Sequence, residues 1–164
     1  MNNKQIVDCA KEIIDLLQDY AGQRAGSREM LLDPVLYSYL KGRGISVTRQ
    51  HYVNPSATHP KRIDFRTGGT NPIVFELVVR PPKGGGQLYG TQNKSELRKL
   101  CRIRQSQAKG RVLLLVDLSP YPIPQNSLKS TYDSQNSGKG KYRRHPVKVI
   151  YVHKDIDYKF RWSR

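Results

Sequence analysis

A chain of 164 residues is long enough to enclose one hydrophobic core and too short for two. Its 29 Lys and Arg against 13 Asp and Glu leave a formal net charge of +16, more than solubility requires, and point to a polyanionic partner. The cations are spread along the sequence and no apolar run reaches membrane length, which favours nucleic acid over a lipid surface; the first residues lack a secretory leader's pattern, so a cytoplasmic protein is expected.

Ile6, Val7, Ala10, Ile13, Ile14 and Leu17 recur at helical spacing, with Asp8, Glu12, Asp15 and Asp19 on the other faces. This predicts an acidic amphipathic helix over residues 4–20. A second helix is expected from Arg28 to Lys41, with Ser27 as N-cap and the glycines of GRG as its stop. Pro34 predicts a fresh helix start after Asp33, because proline suits a first turn and not an interior.

Extended segments follow at 45–53, 62–67 and 72–80, the last two joined through Gly68–Asn71 as a hairpin. Asn93 and Glu96 suggest a capping box opening a third helix, with Leu97, Leu100, Cys101 and Ile103 inward and Lys94, Arg98, Lys99, Arg102 and Arg104 outward. The apolar run at 111–119 suits a strand covered on both faces, reached by a crossover from that helix. Residues 120–146 turn polar without periodicity and are expected to form a basic flexible loop. A strand at 147–155 follows, which 158–162 extends or borders as an edge.

The chain therefore divides, within a single domain, into an acidic N-terminal helix (1–26), a core (27–119), the basic loop (120–146) and a C-terminal strand region (147–164). The fold class is α/β, a mixed β-sheet flanked by helices. Cys9 and Cys101 lie outside any CxxC or Cys/His cluster and are expected to be buried small hydrophobes.

Asp64 and Glu76 are two of only three acids between Pro34 and Val116, and both fall on apolar strands. If the strands pair through the glycine turn, the two carboxylates come close to directly opposite each other. Facing carboxylates repel unless a cation lies between them, and in a nucleic-acid-binding protein Mg²⁺ is the natural candidate: it would bridge to a phosphate, polarise the phosphodiester and lower the pKa of a bound water. The same acids would also suit a salt-bridged sheet, Asp64 with Arg62 or Arg66 and Glu76 with Arg80.

The element order and the acid spacing resemble the PD-(D/E)xK nuclease superfamily, over Arg28 to Leu118. The resemblance implies a restriction-endonuclease-like core and Mg²⁺-dependent cleavage of DNA or RNA, with Asp64 and Glu76 as metal ligands and Glu29 as a further one. Isoleucine precedes Asp64 where the motif has proline. The motif lysine is missing: Val78 stands in its place, so Arg80, one pleat further on, or Lys94 or Arg98 on the following helix, is expected to replace it. Arg80 would stabilise charge and Lys94 would also handle a proton.

Nucleic acid would be held by Arg98, Lys99 and Arg102 on that helix and by Lys139, Lys141, Tyr142, Arg143 and Arg144 in the basic loop, where cations neutralise phosphates and tyrosines such as Tyr132 and Tyr142 stack on unpaired bases. His145, beside Arg144, is the one histidine placed for a phosphate role. Two rival readings remain open: a non-catalytic nucleic-acid-binding protein that lost its chemistry with Val78, and a basic assembly protein that binds a partner through its acidic helix. A homodimer is also left open.

Overall fold

In the computed structural model, residues 2–21, 28–53, 61–82, 88–90, 93–133 and 145–162 are described. Among them, four helices flank one sheet: α1 (Asn3–Ala21), α2 (Arg28–Gly42), α3 (Lys94–Cys101) and α4 (Gln125–Asp133). The strands are β1 (Val47–Val53), β2 (Lys61–Thr67), β3 (Ile73–Arg80), β4 (Gly110–Asp117), β5 (Val147–His153) and β6 (Asp157–Trp162), and they stand side by side in chain order.

Neighbouring strands in β1–β2, β2–β3 and β5–β6 run antiparallel, and those in β3–β4 and β4–β5 run parallel. Parallel neighbours need a crossover, which α3 supplies between β3 and β4 and α4 supplies between β4 and β5. The α/β class and the mixed sheet flanked by helices are thus present. The six central residues of β3 and the last seven of β4 are buried, as strands covered on both faces require.

The core is two-sided. On one face Ile6, Ile13 and Ile14 of α1 and Leu32, Leu36 and Leu40 of α2 join Phe75, Leu77, Leu114 and Ile150. On the other, Leu97, Leu100 and Cys101 of α3 and Leu128 and Tyr132 of α4 join Val74, Val78, Leu113 and Val149. Both cysteines are free and buried, as expected. The described apolar residues of α1, from Ile6 to Ile14, therefore pack on the protein's own sheet.

Two expectations are corrected. Helix α2 runs through Pro34 without restarting. An interior proline costs about 3 kcal/mol, but Leu32 and Leu36 on either side of it are both buried against the sheet, and that packing outweighs the lost bond. The segment 120–146 is not loop throughout, because it contains α4. Its Ser, Asn and Thr are poor helix formers, yet Leu128 and Tyr132, one turn apart, are both fully buried. Tyr132 is consequently no base-stacking residue. Its hydroxyl donates to the Leu88 carbonyl at 2.8 Å and accepts from Asn93 Nδ2 at 3.2 Å, and its ring lies edge-on against Phe160.

Candidate functional site

The hairpin that joins β2 to β3 sets the site. Gly69 takes the left-handed backbone (φ +87°) that the turn needs, and Thr67 Oγ1 accepts the Ile73 N–H at 2.8 Å to close it. Phe65 then faces Phe75, with their rings stacked at 4.7 Å. Extending that register by one residue sets Asp64 opposite Glu76.

Both ladders of β2 are interrupted at this point. Beyond Phe65 the pairing with β3 stops, and Asp64 Oδ2 accepts the Leu77 N–H at 2.9 Å in place of a backbone carbonyl. On its other side β2 pairs with β1 above and below Asp64 but skips it, where Gln50 of β1 has a positive φ of 51°. A non-glycine residue in that region is strained. The strain thus sits beside the acid on which the hairpin converges.

Glu76 is 2% exposed. Burial, reinforced by the charge of Asp64 beside it, pushes its carboxyl up to about 10, and Lys99 opposes the shift without cancelling it. At neutral pH Glu76 therefore keeps its proton, with its side chain bonded to that of Asp64.

Lys99, from the last turn of α3, brings Nζ to 2.7 Å from Glu76 Oε1 and 2.6 Å from Glu96 Oε2. Burial works to lower the Lys99 ammonium, yet Glu76 and Glu96 together hold it above its ordinary value. It is a fixed positive charge at the edge of the acid pair.

The cation at the acid pair is thus Lys99, which the sequence pattern assigns to phosphate binding. Val78 packs into the core on the α3 side. Arg80 does share a face with Glu76, but its Nη1 pairs with Asp117 Oδ2 at 3.1 Å across to β4. Lys94, at the start of α3, and Arg98 and Arg102, at its end, are exposed. The expected capping box is absent: Asn93 makes no side-chain cap bond and donates to the Tyr89 carbonyl and the Tyr132 hydroxyl, while Glu96 turns to Lys99.

Glu29 lies in the first turn of α2, but its side chain falls outside the described residues, as do Lys139, Lys141, Tyr142, Arg143 and Arg144 altogether. One turn after Glu29, Asp33 is buried and engages the strained segment of β1, pairing with Arg49 and accepting from Gln50 Nε2 at 3.4 Å. Burial and Arg111 hold the His145 imidazole below its ordinary value, so it is neutral at pH 7.

Among the described residues no set of three Asp, Glu, His or Cys could hold a metal. Two carboxylates nonetheless fit Mg²⁺, a hard cation that keeps several waters and is bound through one or two carboxylates with substrate phosphates completing its shell. The raised pKa of Glu76 belongs to a pair of acids with no divalent charge to separate them.

No family model and no curated protein matches the sequence. Among solved structures, the chain is similar to the MspJI restriction endonuclease in complex with a 27-mer oligonucleotide, at 13% identity and a TM-score of 0.37, over 90% of this chain and 30% of that one. Among the described residues no helix is long and apolar enough to cross a membrane.

Proposed function

We propose that the protein is a Mg²⁺-dependent nuclease with a restriction-endonuclease-like arrangement, cleaving phosphodiester bonds in DNA or RNA. The observation that carries this reading is the meeting of Asp64, Glu76 and Lys99: two opposed carboxylates and one ammonium, contributed by β2, β3 and α3. A protein of net charge +16 also attracts the substrate over long range.

Mg²⁺ bound through Asp64 and Glu76 supplies a Lewis acid for the phosphoryl oxygen and a means of activating water. Asp64 is oriented for binding by the Leu77 N–H, which fixes one oxygen. Glu76 would be the second ligand, and its burial beside Asp64 makes the ionised carboxylate unfavourable unless a cation is bound. Lys99 stabilises the charge that develops on the phosphate, in the place left empty at Val78, and Glu96 holds its Nζ there. Because its ammonium is held charged, Lys99 acts through charge and not as a base.

The missing motif lysine favours a lost activity, and Lys99 at the acid pair supports a retained one. The test is cleavage of single- and double-stranded DNA and RNA in Mg²⁺ or Mn²⁺, with Asp64→Ala and Glu76→Ala as controls. Divalent-dependent cutting that both variants lose is the expected result. No cutting by the wild type, or equal cutting by the variants, defeats the proposal.

A further inference from the structure

At the N-terminal ends of β3, β4 and β5 a cleft of about 730 Å³ opens, lined by Lys109, Arg111, His145, Lys148 and Arg161 together with Asn2. None of the described residues that line it is acidic. Ile73, at its rim, precedes Glu76 by three residues on β3, a separation of about 10 Å at strand spacing. The cleft is therefore distinct from the acid pair.

Three features indicate an anion. Lys148 and Arg161 are directly opposed in the β5–β6 ladder and lie on the same face of the sheet, where like charges repel. The acid on that face of β6, Asp157, lies at the other end of the strand and pairs with Lys11 of α1. The Arg111 guanidinium is 6% exposed and fixed by the Ile103 carbonyl at 2.7 Å and the Ala108 carbonyl at 3.2 Å, so a full positive charge is anchored by neutral acceptors at the same end of the sheet, on its α3 face.

The third feature is the N-terminus of α1, whose first turn carries no acidic residue. Asn2 and Gln5 cap each other at its start, at 3.0 and 2.8 Å, and Asn2 reaches the cleft. The positive end of the helix dipole adds to the side-chain charges. Together these make a concave site of one sign, built from residues of β3, β4, β5 and β6 and the start of α1.

We propose that this cleft binds a phosphate group, either an internucleotide phosphate of a strand or the phosphate of a small molecule. A labelled oligonucleotide of about 20 nucleotides, titrated in EDTA by fluorescence anisotropy, tests the first source. Thermal melts with inorganic phosphate test the second. Both compare the wild type with Lys148→Gln/Arg161→Gln protein.

Without ligand, the double variant melts at or above the wild type, because a repulsion has gone. Oligonucleotide affinity falls at least about tenfold at low salt, and the logarithmic salt slope shrinks by about 2. That loss identifies a strand. A phosphate-induced rise in Tm confined to the wild type, with oligonucleotide affinity unchanged, identifies a small molecule instead.

If affinity and slope are unchanged and phosphate shifts neither protein, or shifts both equally, the proposal is overturned. Should the double variant melt lower, Arg161→Gln alone, at an exposed side chain, is titrated in its place. A slope loss of about 1 then supports the site and an unchanged slope rejects it. No divalent metal is present in these measurements, so their outcome is independent of whether the acid pair cuts.

Discussion

Asp117 and Glu76 are both buried carboxylates of the central sheet, on adjacent strands, and each meets a cation: Arg80 for the one and Lys99 for the other. Asp117 is fully enclosed. Its Oδ1 accepts the Ser119 N–H at 3.0 Å, and its Oδ2 accepts the Tyr151 hydroxyl at 2.6 Å as well as Arg80 Nη1. Tyr151 is held in turn by the Ile123 N–H at 2.8 Å.

Among the described residues Glu76 has no such shell. It faces a second carboxylate, and its one cation is shared with Glu96. A carboxylate surrounded by donors joins strands together; one set against another carboxylate is, under the proposed function, a metal ligand. The same contrast separates Arg80, which sequence pattern alone made a catalytic candidate, from Lys99.

The largest effect that tests this contrast is on chemistry. Glu76→Gln should lower cleavage at least about 1,000-fold, roughly 4 kcal/mol in the barrier, measured as kcat/KM under Mg²⁺, while leaving the fold intact. Asp117→Ala should do the reverse. It strands Arg80 in a partly buried site and costs about 3–5 kcal/mol of stability in urea or thermal unfolding. If Asp117→Ala melts like the wild type, the comparison fails.

Glu76 also carries a pH signature. Its folded-state pKa is raised from 4.5 to about 10, so the metal-free native state keeps a proton that the unfolded chain releases above pH 4.5. Its contribution to stability is complete below that value and declines as pH rises towards 10. At pH 7 the deficit is on the order of 3 kcal/mol. Metal-free Glu76→Gln should therefore melt above the wild type, by a margin that widens from pH 5 to pH 9; a constant or negative margin contradicts the frustrated pair.

Smaller still, Lys99→Met should reduce kcat by about 100-fold, whereas Arg80→Met should lower stability more than kcat. Equal effects of the two on kcat would erase the distinction between them. Tyr132→Phe should cost about 1–2 kcal/mol through the bonds to Leu88 and Asn93, with no change in oligonucleotide affinity, as a core residue requires.

The sequence by itself determined the sheet and the acid pair. Alternation assigned Asp64 and Glu76 to strands, and a four-residue glycine turn left little freedom in how those strands pair, because hairpin register is local. It also carried the apolar stripe of α3, which the structure buries.

Which flank of that stripe meets the acids was beyond it. At about 100° per residue, Glu96 and Lys99 fall on one side of Leu97 and Leu100, and Lys94 and Arg98 on the other. Only the docking of α3 across β3 and β4 chooses between them, and a helix's rotation about its axis is fixed by contacts with residues far away in sequence. The same holds for α4, whose polar composition concealed a helix that Leu128 and Tyr132 secure by burial, and for the basic cleft. Its side-chain charges come from β4 and the residue before it, β5 and β6, and they meet only when the sheet is assembled.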